Sequence, residues 1–546
     1  KTFHDTGGKP VVVPGFGYYE LRFEHDDLGR EIANAAFNTA GEPVLMPEGY
    51  HRFEWVLDAK GRAVRSSLFG VSGEPVLHPK EFWHRREWKF DPRGNMFESI
   101  SSGTDGKPTA DNDGVWRKTW TFDDADRATG IRCYGADGEP CLDKNGVHET
   151  HCTYDARGNI TRWAYFGIDR KPVLQSEGYH VTKQLYDERG NLVETAFFGT
   201  REEPVVDRTG RVHRSTFGYN PRGQYIETRL FDVAARPTHD PKEGYHLTRY
   251  EYDPAGNLTG EAWFDAEDHP VNRRSDGTHR YERKVDPHGR VLSEAFFNEE
   301  GKKVLSSDGY HKLVQEFDDR GNELTEAYFG VSDEPVNRLA LGIHKIIREY
   351  NDRGQEISER YIDASGAASP MKGVSYSKLV QTFDGSGHVS SKSYLDGDGN
   401  PAIFSDAGYA MQKMVYDERG NLTETSYFGQ DLLPMDQLQG GYHKSVSRYD
   451  GMGNEIETTY FDSEGNPVVT ESGFHRYAAK YDSRGHLMER SFFGIKGEPM
   501  LSDNLVAHRV TQVCDERGNV LEQAFFDTEG KPSLGADGIH RTTQKF

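Results

Sequence analysis

Hydrophobic and polar residues alternate along the chain in short runs that are separated by turn-forming residues. One run reads KSVSRYD at residues 444–450, and the next reads NEIETTYF at residues 454–461. Both are rich in β-branched and aromatic residues and have no interior proline, which is typical of β-strands. Asp450 and Gly453 stand between them at the spacing of a tight turn. The pattern predicts a β-hairpin.

This phrase recurs sixteen times at a spacing of 32 or 33 residues. An Asp, or an Asn in two units, stands three residues before an anchor that is Gly everywhere except at Asp126. The Asp side chain can bond backbone two residues on, and the Gly can take positive φ, so each phrase predicts a type I turn closed by a glycine bulge. The anchors are Gly29, Gly61, Gly94, Gly158, Gly190, Gly223, Gly256, Gly289, Gly321, Gly354, Gly387, Gly420, Gly453, Gly485 and Gly518.

A second turn follows each hairpin, and in DSEGNPV at residues 462–468 its Asp-x-x-Gly spacing repeats that of the first turn. A proline comes after this turn in most units. Because proline has no amide proton, we predict that this short segment is a sheet edge or a connector. The prolines are Pro10, Pro43, Pro75, Pro108, Pro140, Pro172, Pro204, Pro237, Pro270, Pro335, Pro401, Pro434, Pro467, Pro499 and Pro532.

A hairpin of this length cannot enclose a core alone, so neighbouring units must stack and share their apolar faces. We therefore predict an all-β protein of about sixteen tandem β-hairpin units, stacked into a β-solenoid or superhelical sheet, in one continuous array over residues 1–546. An open superhelix and a closed, cocoon-like array both stay open as alternatives. A propeller is the main rival, but its blades need about 40 to 50 residues.

The two ends of the chain lie within a repeat. Residues 1–11 match the close of a unit, and residues 538–546 stop where the next Tyr-Asp would begin. An isolated solenoid needs capping units to protect its strand edges. We therefore expect the array to belong to a longer chain, or to protomers joined end to end.

The phrase YDERGN at residues 186–191, followed by a strand, resembles the YD repeats of the Rhs and teneurin group over essentially the whole chain. The resemblance implies a β-hairpin spiral, at cell surfaces or in secreted toxin shells. This unit is longer than the usual YD repeat, and its Gly-Tyr-His and Gly-x-Pro-Val elements are not part of that signature. No self-cleaving shell end or toxin tip is recognisable.

A histidine stands in the same slot of most repeats, and strand alternation places it with the Tyr of the turn phrase on the inner face. A row of imidazoles could bind metal or respond to pH. Equivalent residues in successive units lie roughly 9 to 10 Å apart, which is too far for one ion to bridge two slots. We favour packing with a hydrogen bond to backbone. The slots hold His51, His84, His148, His180, His213, His246, His279, His311, His344, His443, His475, His508 and His540, and otherwise Tyr19, Trp116, Ser377 and Ala410.

One stretch gathers Cys133, Cys141, His148, His151 and Cys152, which is a zinc-like set of residue types. The spacing does not suit a zinc site: His148 and Cys152 lie about 13 Å apart on one strand, and His151 faces the opposite side. We interpret the cysteines as core substitutions without a metal. Four cysteines in the whole chain also indicate that the fold does not depend on disulfides.

The fourth repeat, which contains these cysteines together with Asp126 and Trp116, departs most from the pattern. A residue with a unique role should interrupt a repeat. We therefore predict that a specialised contact, if the chain has one, lies in the fourth repeat.

The chain is acidic, with 88 Asp and Glu against 66 Lys and Arg and a formal charge of -22, which argues against nucleic-acid binding. Calcium on the Asp-rich turns stays open, although one Asp per turn is the pattern of a backbone cap. We expect solvated ion pairs between arginines of the turns and glutamates of the strands. These are Arg189, Arg222, Arg353, Arg419, Arg484 and Arg517, with Glu194, Glu227, Glu424, Glu457, Glu489 and Glu522.

Asn159, Asn257 and Asn421 each begin an Asn-x-Thr triplet, but the repeat itself places Asn there. No phosphate-binding loop, nucleophile elbow or paired-His helix motif is present in the sequence. We therefore predict no catalytic, cofactor or metal residues, and a non-enzymatic scaffold outside the cell or at its surface: a spacer, filament component or adhesive surface. Its partners would be proteins, including copies of itself joined end to end, with no nucleic acid and no membrane insertion in this segment. The alternative is a shell or regulatory region of a larger polymorphic toxin or signalling enzyme whose catalytic domain lies outside these residues.

Overall fold

A computed structural model describes residues 1–4, 16–206, 208, 212–405 and 407–544. These residues form β-strands, bridges and turns and no helix, so the predicted all-β hairpin array is confirmed. None of them forms a helix long and apolar enough to cross a membrane. Pro10 lies outside the described residues, as do residues 5–11 and 545–546 of the two predicted repeat ends.

The chain divides into two compact units, and within each the strands pair antiparallel in chain order. The first unit comprises residues 1–20, 38–40 and 307–546, and the second comprises residues 21–37 and 41–306. The first begins with β1 (Thr2–His4). The second holds β2 (Glu20–His25), β3 (Glu31–Phe37), β4 (Arg52–Leu57), β5 (Ala63–Phe69), β6 (Arg85–Phe90), β7 (Met96–Ser102), β8 (Arg117–Phe122), β9 (Ala128–Tyr134), β10 (Glu149–Tyr154), β11 (Ile160–Phe166), β12 (Val181–Tyr186), β13 (Leu192–Phe198), β14 (Arg214–Tyr219), β15 (Tyr225–Phe231), β16 (Leu247–Tyr252), β17 (Leu258–Phe264), β18 (Arg280–Val285) and β19 (Val291–Phe297). The first continues with β20 (Lys312–Phe317), β21 (Glu323–Phe329), β22 (Lys345–Tyr350), β23 (Glu356–Ile362), β24 (Lys378–Phe383), β25 (Val389–Leu395), β26 (Met411–Tyr416), β27 (Leu422–Phe428), β28 (Lys444–Tyr449), β29 (Glu455–Phe461), β30 (Arg476–Tyr481), β31 (Leu487–Phe493), β32 (Arg509–Cys514), β33 (Val520–Phe526) and β34 (Arg541–Thr543).

Each repeat forms one hairpin with the predicted turn. In β12–β13 the register is regular from Val181 to Leu185 and then shifts, which is the signature of a bulge beside the turn. Gly190 takes φ +86°, and Asp187 Oδ1 accepts hydrogen bonds from the backbone N–H groups of Arg189 and Asn191, both at 2.9 Å. The Asp-x-x-Gly phrase therefore encodes the turn as predicted.

Successive hairpins share only a short ladder. Between β13 and β14 three residue pairs are in register, whereas the six pairs within β12–β13 span the whole hairpin. The tips of neighbouring hairpins are joined instead by the turn arginines, whose Nη1 donates to a backbone carbonyl of the next turn. Arg419 reaches Gly451 O at 2.7 Å, Arg484 reaches Glu516 O at 2.6 Å, and Arg189 contacts Pro221 O.

The expected ion pairs between turn arginines and strand glutamates are therefore wrong for Arg189, Arg222, Arg419 and Arg484, which all bond to backbone. Each strand glutamate pairs with a basic residue of a neighbouring strand. Glu194 lies 3.2 Å from Arg214, for example. The physical reason is register: the hairpin tips project beyond the ladder, so a turn arginine faces the next tip and not the neighbouring strand.

The segment after the second turn is a connector, as the proline predicted. Pro204 forms an isolated bridge with Phe198, and Val205 N–H donates to Phe197 O at 3.1 Å. A third turn then returns the chain to the next hairpin. It ends at the Gly of the Gly-Tyr-His element, and Gly178 there has φ +92°.

Aromatic side chains form the core of each unit. In the second unit Phe197 packs on Tyr179 at 4.6 Å between ring centroids, and on the other face Phe198 packs on His213 at 5.1 Å. In the first unit Tyr394 lies in a cluster with Tyr376 at 4.9 Å. The adjacent residues Phe197 and Phe198 are therefore covered on opposite faces of the strand.

Strand β1 pairs with β34 in the register that the second arm of a hairpin takes with the first. Phe3 lies opposite Thr542, as Phe525 lies opposite Val510 in β32–β33. Phe3 is buried and packs with Ile539. The edge of β34 is therefore paired within the chain.

Candidate functional site

The histidine slot is a polar feature that most repeats share, and all thirteen histidines in it are buried. Nδ1 donates to a backbone carbonyl at 2.5 to 3.2 Å in twelve of them. The acceptor is either the end of the preceding strand, as Tyr165 O for His180, or the connector, as Val205 O for His213. The bonds involve His51, His84, His148, His180, His213, His246, His279, His344, His443, His475, His508 and His540.

The imidazole rings also pack edge-on against an aromatic residue at the end of the preceding hairpin. His180 meets Phe166 at 5.0 Å and 82°, and eleven other histidines of the slot show the same geometry. Burial lowers the pKa of His84, His180, His279 and His344. A neutral, buried imidazole whose Nδ1–H is bonded to backbone is a packing element, which is the interpretation that we favoured from the sequence.

The cysteine group of the fourth repeat does not assemble into a metal site. His148 Nδ1 contacts Cys133 and Cys141 through their backbone carbonyls, at 2.6 and 3.2 Å, and not through their thiols. Burial raises the pKa of Cys133 to about 12 and also raises that of Cys152. These thiols stay protonated near neutral pH, so they are poor metal ligands and poor nucleophiles.

The turn aspartates have both carboxylate oxygens bonded within their own turn. Asp187 Oδ2 accepts from Asn191 Nδ2 at 2.8 Å, in addition to the two backbone bonds to Oδ1. The bonds from the Asn191 side chain and backbone lower the pKa of Asp187. Among the described residues, no group of three or more His, Cys, Asp or Glu side chains could hold a metal ion.

The asparagines of the Asn-x-Thr triplets also form hydrogen bonds within their turns. Asn159 Nδ2 donates to Asp155 Oδ2 at 2.9 Å, and Asn421 Nδ2 donates to Asp417 Oδ2 at 2.8 Å. A glycan on either nitrogen would disrupt the turn bond.

The two other irregular residues of the fourth repeat have distinct environments. Trp116 takes the histidine slot, and within the described chain its buried indole nitrogen has no hydrogen-bond partner. Asp126 takes the glycine position with φ 61°, and its carboxylate accepts bonds from Arg93 at 3.1 Å and Asn95 at 2.7 Å in the preceding turn. The fourth repeat is therefore the place where local structure departs from the pattern, as predicted.

No family model and no curated protein matches the sequence. Among solved structures, the chain is similar to TcdB2-TccC3 at 12% identity and a TM-score of 0.26, over 92% of this chain and 28% of that chain. It is also similar to the Photorhabdus luminescens Tc holotoxin pore at 12% identity and a TM-score of 0.17, over 94% of this chain and 31% of that chain. A porin-like protein from Bacteroides uniformis matches at 10% identity and a TM-score of 0.11, over 61% of this chain and 90% of that chain. The chain thus spans about 28% of the TcdB2-TccC3 chain, and at these TM-scores the matches carry no argument about function.

Proposed function

We propose that the chain is a non-enzymatic structural and interaction scaffold, a repeat array that acts outside the cell as a spacer, filament component or adhesive surface. One observation carries this proposal: the histidine that thirteen repeats share is buried in all of them and donates to backbone in twelve. This repeated polar group therefore builds the fold.

The charged side chains of the strands support a protein as the partner. A basic residue at the start of a strand lies over a phenylalanine and beside a glutamate, as Arg214 lies 4.2 Å from the Phe231 ring and 3.2 Å from Glu194. Arg476 repeats this arrangement with Phe493 and Glu457. A regular row of charged pairs suits a protein surface, and the charge of -22 disfavours nucleic acid.

The second candidate is a shell or regulatory repeat region of a larger toxin or signalling enzyme with its catalytic domain outside these residues. The pairing of β1 with β34 favours it, because the strand edge that a second copy would extend is already occupied. The YD-like phrase agrees with this role.

Mass measurement by light scattering over a hundredfold concentration range, together with electron microscopy, separates a filament from a spacer or shell. A filament gives rods whose length and mass grow with concentration. Particles of one mass at every concentration exclude the filament. A variant lacking residues 1–4 exposes the edge of β34 and serves as a positive control for edge pairing.

Expression of the complete reading frame beside the array alone separates scaffold from toxin shell. An adjoining domain with enzymatic or toxic activity supports the shell. A reading frame in which the repeats continue to a signal peptide or surface anchor supports the scaffold. Enzymatic activity in residues 1–546 alone would contradict both.

A further inference from the structure

A cavity of about 290 Å³ lies between the fourth hairpin, β8–β9, and the first strand of the fifth hairpin, β10. It opens between β8, β9 and β10 and belongs wholly to the second unit. Its principal lining residues are Thr119, Thr121, Gly130, Arg132, Glu149 and His151.

Strand register explains why these residues meet. Thr121 lies opposite Gly130, which in turn lies opposite His151, so the three form one row across the strands. In the adjacent row Thr119 lies opposite Arg132, and Arg132 opposite Glu149. Gly130 is the middle of the first row and has no side chain, so it forms the floor of the cavity.

The floor cannot accept even a methyl group without movement. A Cβ atom on Gly130 would lie 2.9 Å from Thr121 Oγ1 and 3.2 Å from the backbone oxygen of Thr150. Gly260 occupies the same position in β17, but there Glu251 and Glu282 are its cross-strand neighbours. Glycine at this position therefore leaves a cavity only where its neighbours are short or turned aside.

The charges of the fourth repeat are reversed relative to other repeats. In β13–β14, Glu194 occupies the position of Gly130, and Arg214 occupies that of Glu149. Those two side chains form an ion pair at 3.2 Å. At the cavity, the acidic residue Glu149 occupies the position that Arg214 takes in β14. Gly130, which has no side chain, occupies the position of Glu194.

Glu149 is 3% exposed and organises the wall of the cavity. Its Oε1 accepts a bond from Arg132 Nε at 2.6 Å and another from His151 Nε2 at 2.7 Å, and Arg170 Nε lies 4.0 Å from Oε2. Burial opposes ionisation of Glu149, but the bonds from His151 and Arg132 outweigh it and lower its pKa. One buried carboxylate thus fixes two partly exposed nitrogen-rich side chains, with Arg132 37% and His151 46% exposed.

We propose that this cavity binds a small oxyanion, the carboxylate or phosphate group of a small molecule, through Arg132, His151 and the hydroxyl groups of Thr119 and Thr121. Arg132 lines the cavity and Arg170 approaches the same carboxylate from outside the lining, so two positive charges stand against the single negative charge of Glu149. Arginine recognises carboxylate and phosphate with geometrically defined hydrogen bonds, and hydroxyl groups can donate to the remaining oxygens. The site interrupts the repeat at one place, as a single-copy binding site would.

The proposal is tested by titrating the whole chain with inorganic phosphate and, separately, with acetate. Binding is detected by calorimetry and by changes in the NMR signals of His151. We expect saturable binding of one ion per chain. Binding of phosphate alone identifies a phosphate site, and binding of acetate alone identifies a carboxylate site. Binding of both supports a general oxyanion site.

Three variants at the cavity and one matched control in β17 locate the binding. Arg132→Gln removes a charge-assisted contact and should weaken binding about tenfold or more. Gly130→Ala raises the floor and should abolish binding, whereas Gly260→Ala, the matched change in β17, should leave it unchanged. His151→Gln retains an amide donor toward Glu149 and should weaken binding less than Arg132→Gln.

Folding of each variant is checked by hydrogen exchange at β9 and β10, so that loss of structure is distinguished from loss of the site. Two results overturn the proposal: no saturable binding of either ion to the folded wild-type chain, or binding that Gly130→Ala and Arg132→Gln leave unchanged while the fold is intact. Equal displacement by chloride at matched ionic strength would show that the binding is nonspecific, which also overturns it.

Discussion

The junction of β12, β13 and β14 and that of β8, β9 and β10 have the same backbone arrangement and opposite chemistry. In the first, Glu194 and Arg214 pair at 3.2 Å, both partly exposed, and cover the sheet. In the second, Gly130 provides no side chain and the buried Glu149 binds Arg132 and His151. The comparison teaches that a repeat protein can create a single-copy site by losing one side chain and placing an acidic residue where other repeats have a basic one. The hydrogen-bonded pairing of the strands stays the same.

His180 and His151 extend this comparison to two histidines that pack on the same ring, Phe166. His180 is buried and donates to Tyr165 O. His151 is partly exposed and bonds to a carboxylate. The same residue type therefore serves as a buried packing element at one position and as part of a polar wall at the other.

The largest effect is expected when His180 is replaced, with His151 as the comparison. His180→Ala should destabilise the hairpins around β11 and β12 by about 2–4 kcal/mol, because it leaves a cavity and an unmatched carbonyl in the core. His151→Gln should change stability by less than about 0.5 kcal/mol, since it keeps an exposed donor. Amide hydrogen exchange of β11 and β12 measures the difference, and equal losses of protection would refute the packing role of His180.

As the pH falls, the stabilising contribution of the buried histidines should be lost before that of the turn aspartates. Because burial lowers the pKa of His84, His180, His279 and His344, the unfolded chain binds protons more tightly than the folded chain at these sites. Their stabilising contribution is complete above about pH 6.5 and is lost as the pH falls through the lowered pKa values.

The turn aspartates contribute to stability over a different pH range from the histidines. Their lowered pKa, as at Asp187, gives stability that is present above about pH 3.9 and is lost only below it. Thermal denaturation at pH 7.5, 5.5 and 4.5 should therefore show a melting temperature that falls while the turns stay intact. An unchanged melting temperature across this range would exclude the histidine contribution.

Replacing Trp116 and replacing Trp83 by Phe should change the free energy of unfolding in opposite directions. Trp116→Phe removes a buried indole N–H that has no partner within the described chain, and should raise stability by about 1 kcal/mol. Trp83→Phe removes an N–H that donates to Glu81 at 2.7 Å, and should lower stability by about 1 kcal/mol. Chemical denaturation of the two variants, followed by hydrogen exchange, checks the signs.

The smallest effect is expected at Asp126. Asp126→Gly relieves the strain of a left-handed backbone by roughly 1 kcal/mol but loses the contacts with Arg93 and Asn95, so the net change should stay within about 0.5 kcal/mol. Asp126→Ala loses the contacts and keeps the strain, so it should destabilise the turn by about 1 kcal/mol. A fall in stability for Asp126→Gly as large as that for Asp126→Ala would show that the contacts outweigh the strain.

The sequence was sufficient for the hairpin and its turn because each is determined within a few residues, and Asp187 and Gly190 make the same turn wherever they occur. It also predicted the packing role of the histidines. The face that alternation assigns to His443 is wrong, because its ring packs on Phe428, on the face of Lys444. The sequence was also sufficient to mark the fourth repeat as irregular. The Gly-Tyr-His turn was missed, although the repeated Gly178 position was a usable signal.

The cavity itself could not be predicted, because it depends on which residues lie opposite one another. Gly130 and His151 are brought together by pairing between different hairpins, and a one-residue bulge in each hairpin changes every such pairing. For the same reason the turn arginines were paired with the wrong partners. Local chemistry was predictable, whereas contacts between hairpins required the register.

The arginine contact between hairpin tips has a consequence for how such genes can grow and shrink. Its acceptor is a backbone carbonyl, supplied by residues as different as Pro221, Gly451 and Glu516. Any unit that carries the arginine can therefore precede any other unit. Duplication or loss of one whole repeat preserves every remaining tip contact, whereas insertion of a few residues breaks one, so recombination in multiples of the repeat is the path of least structural damage.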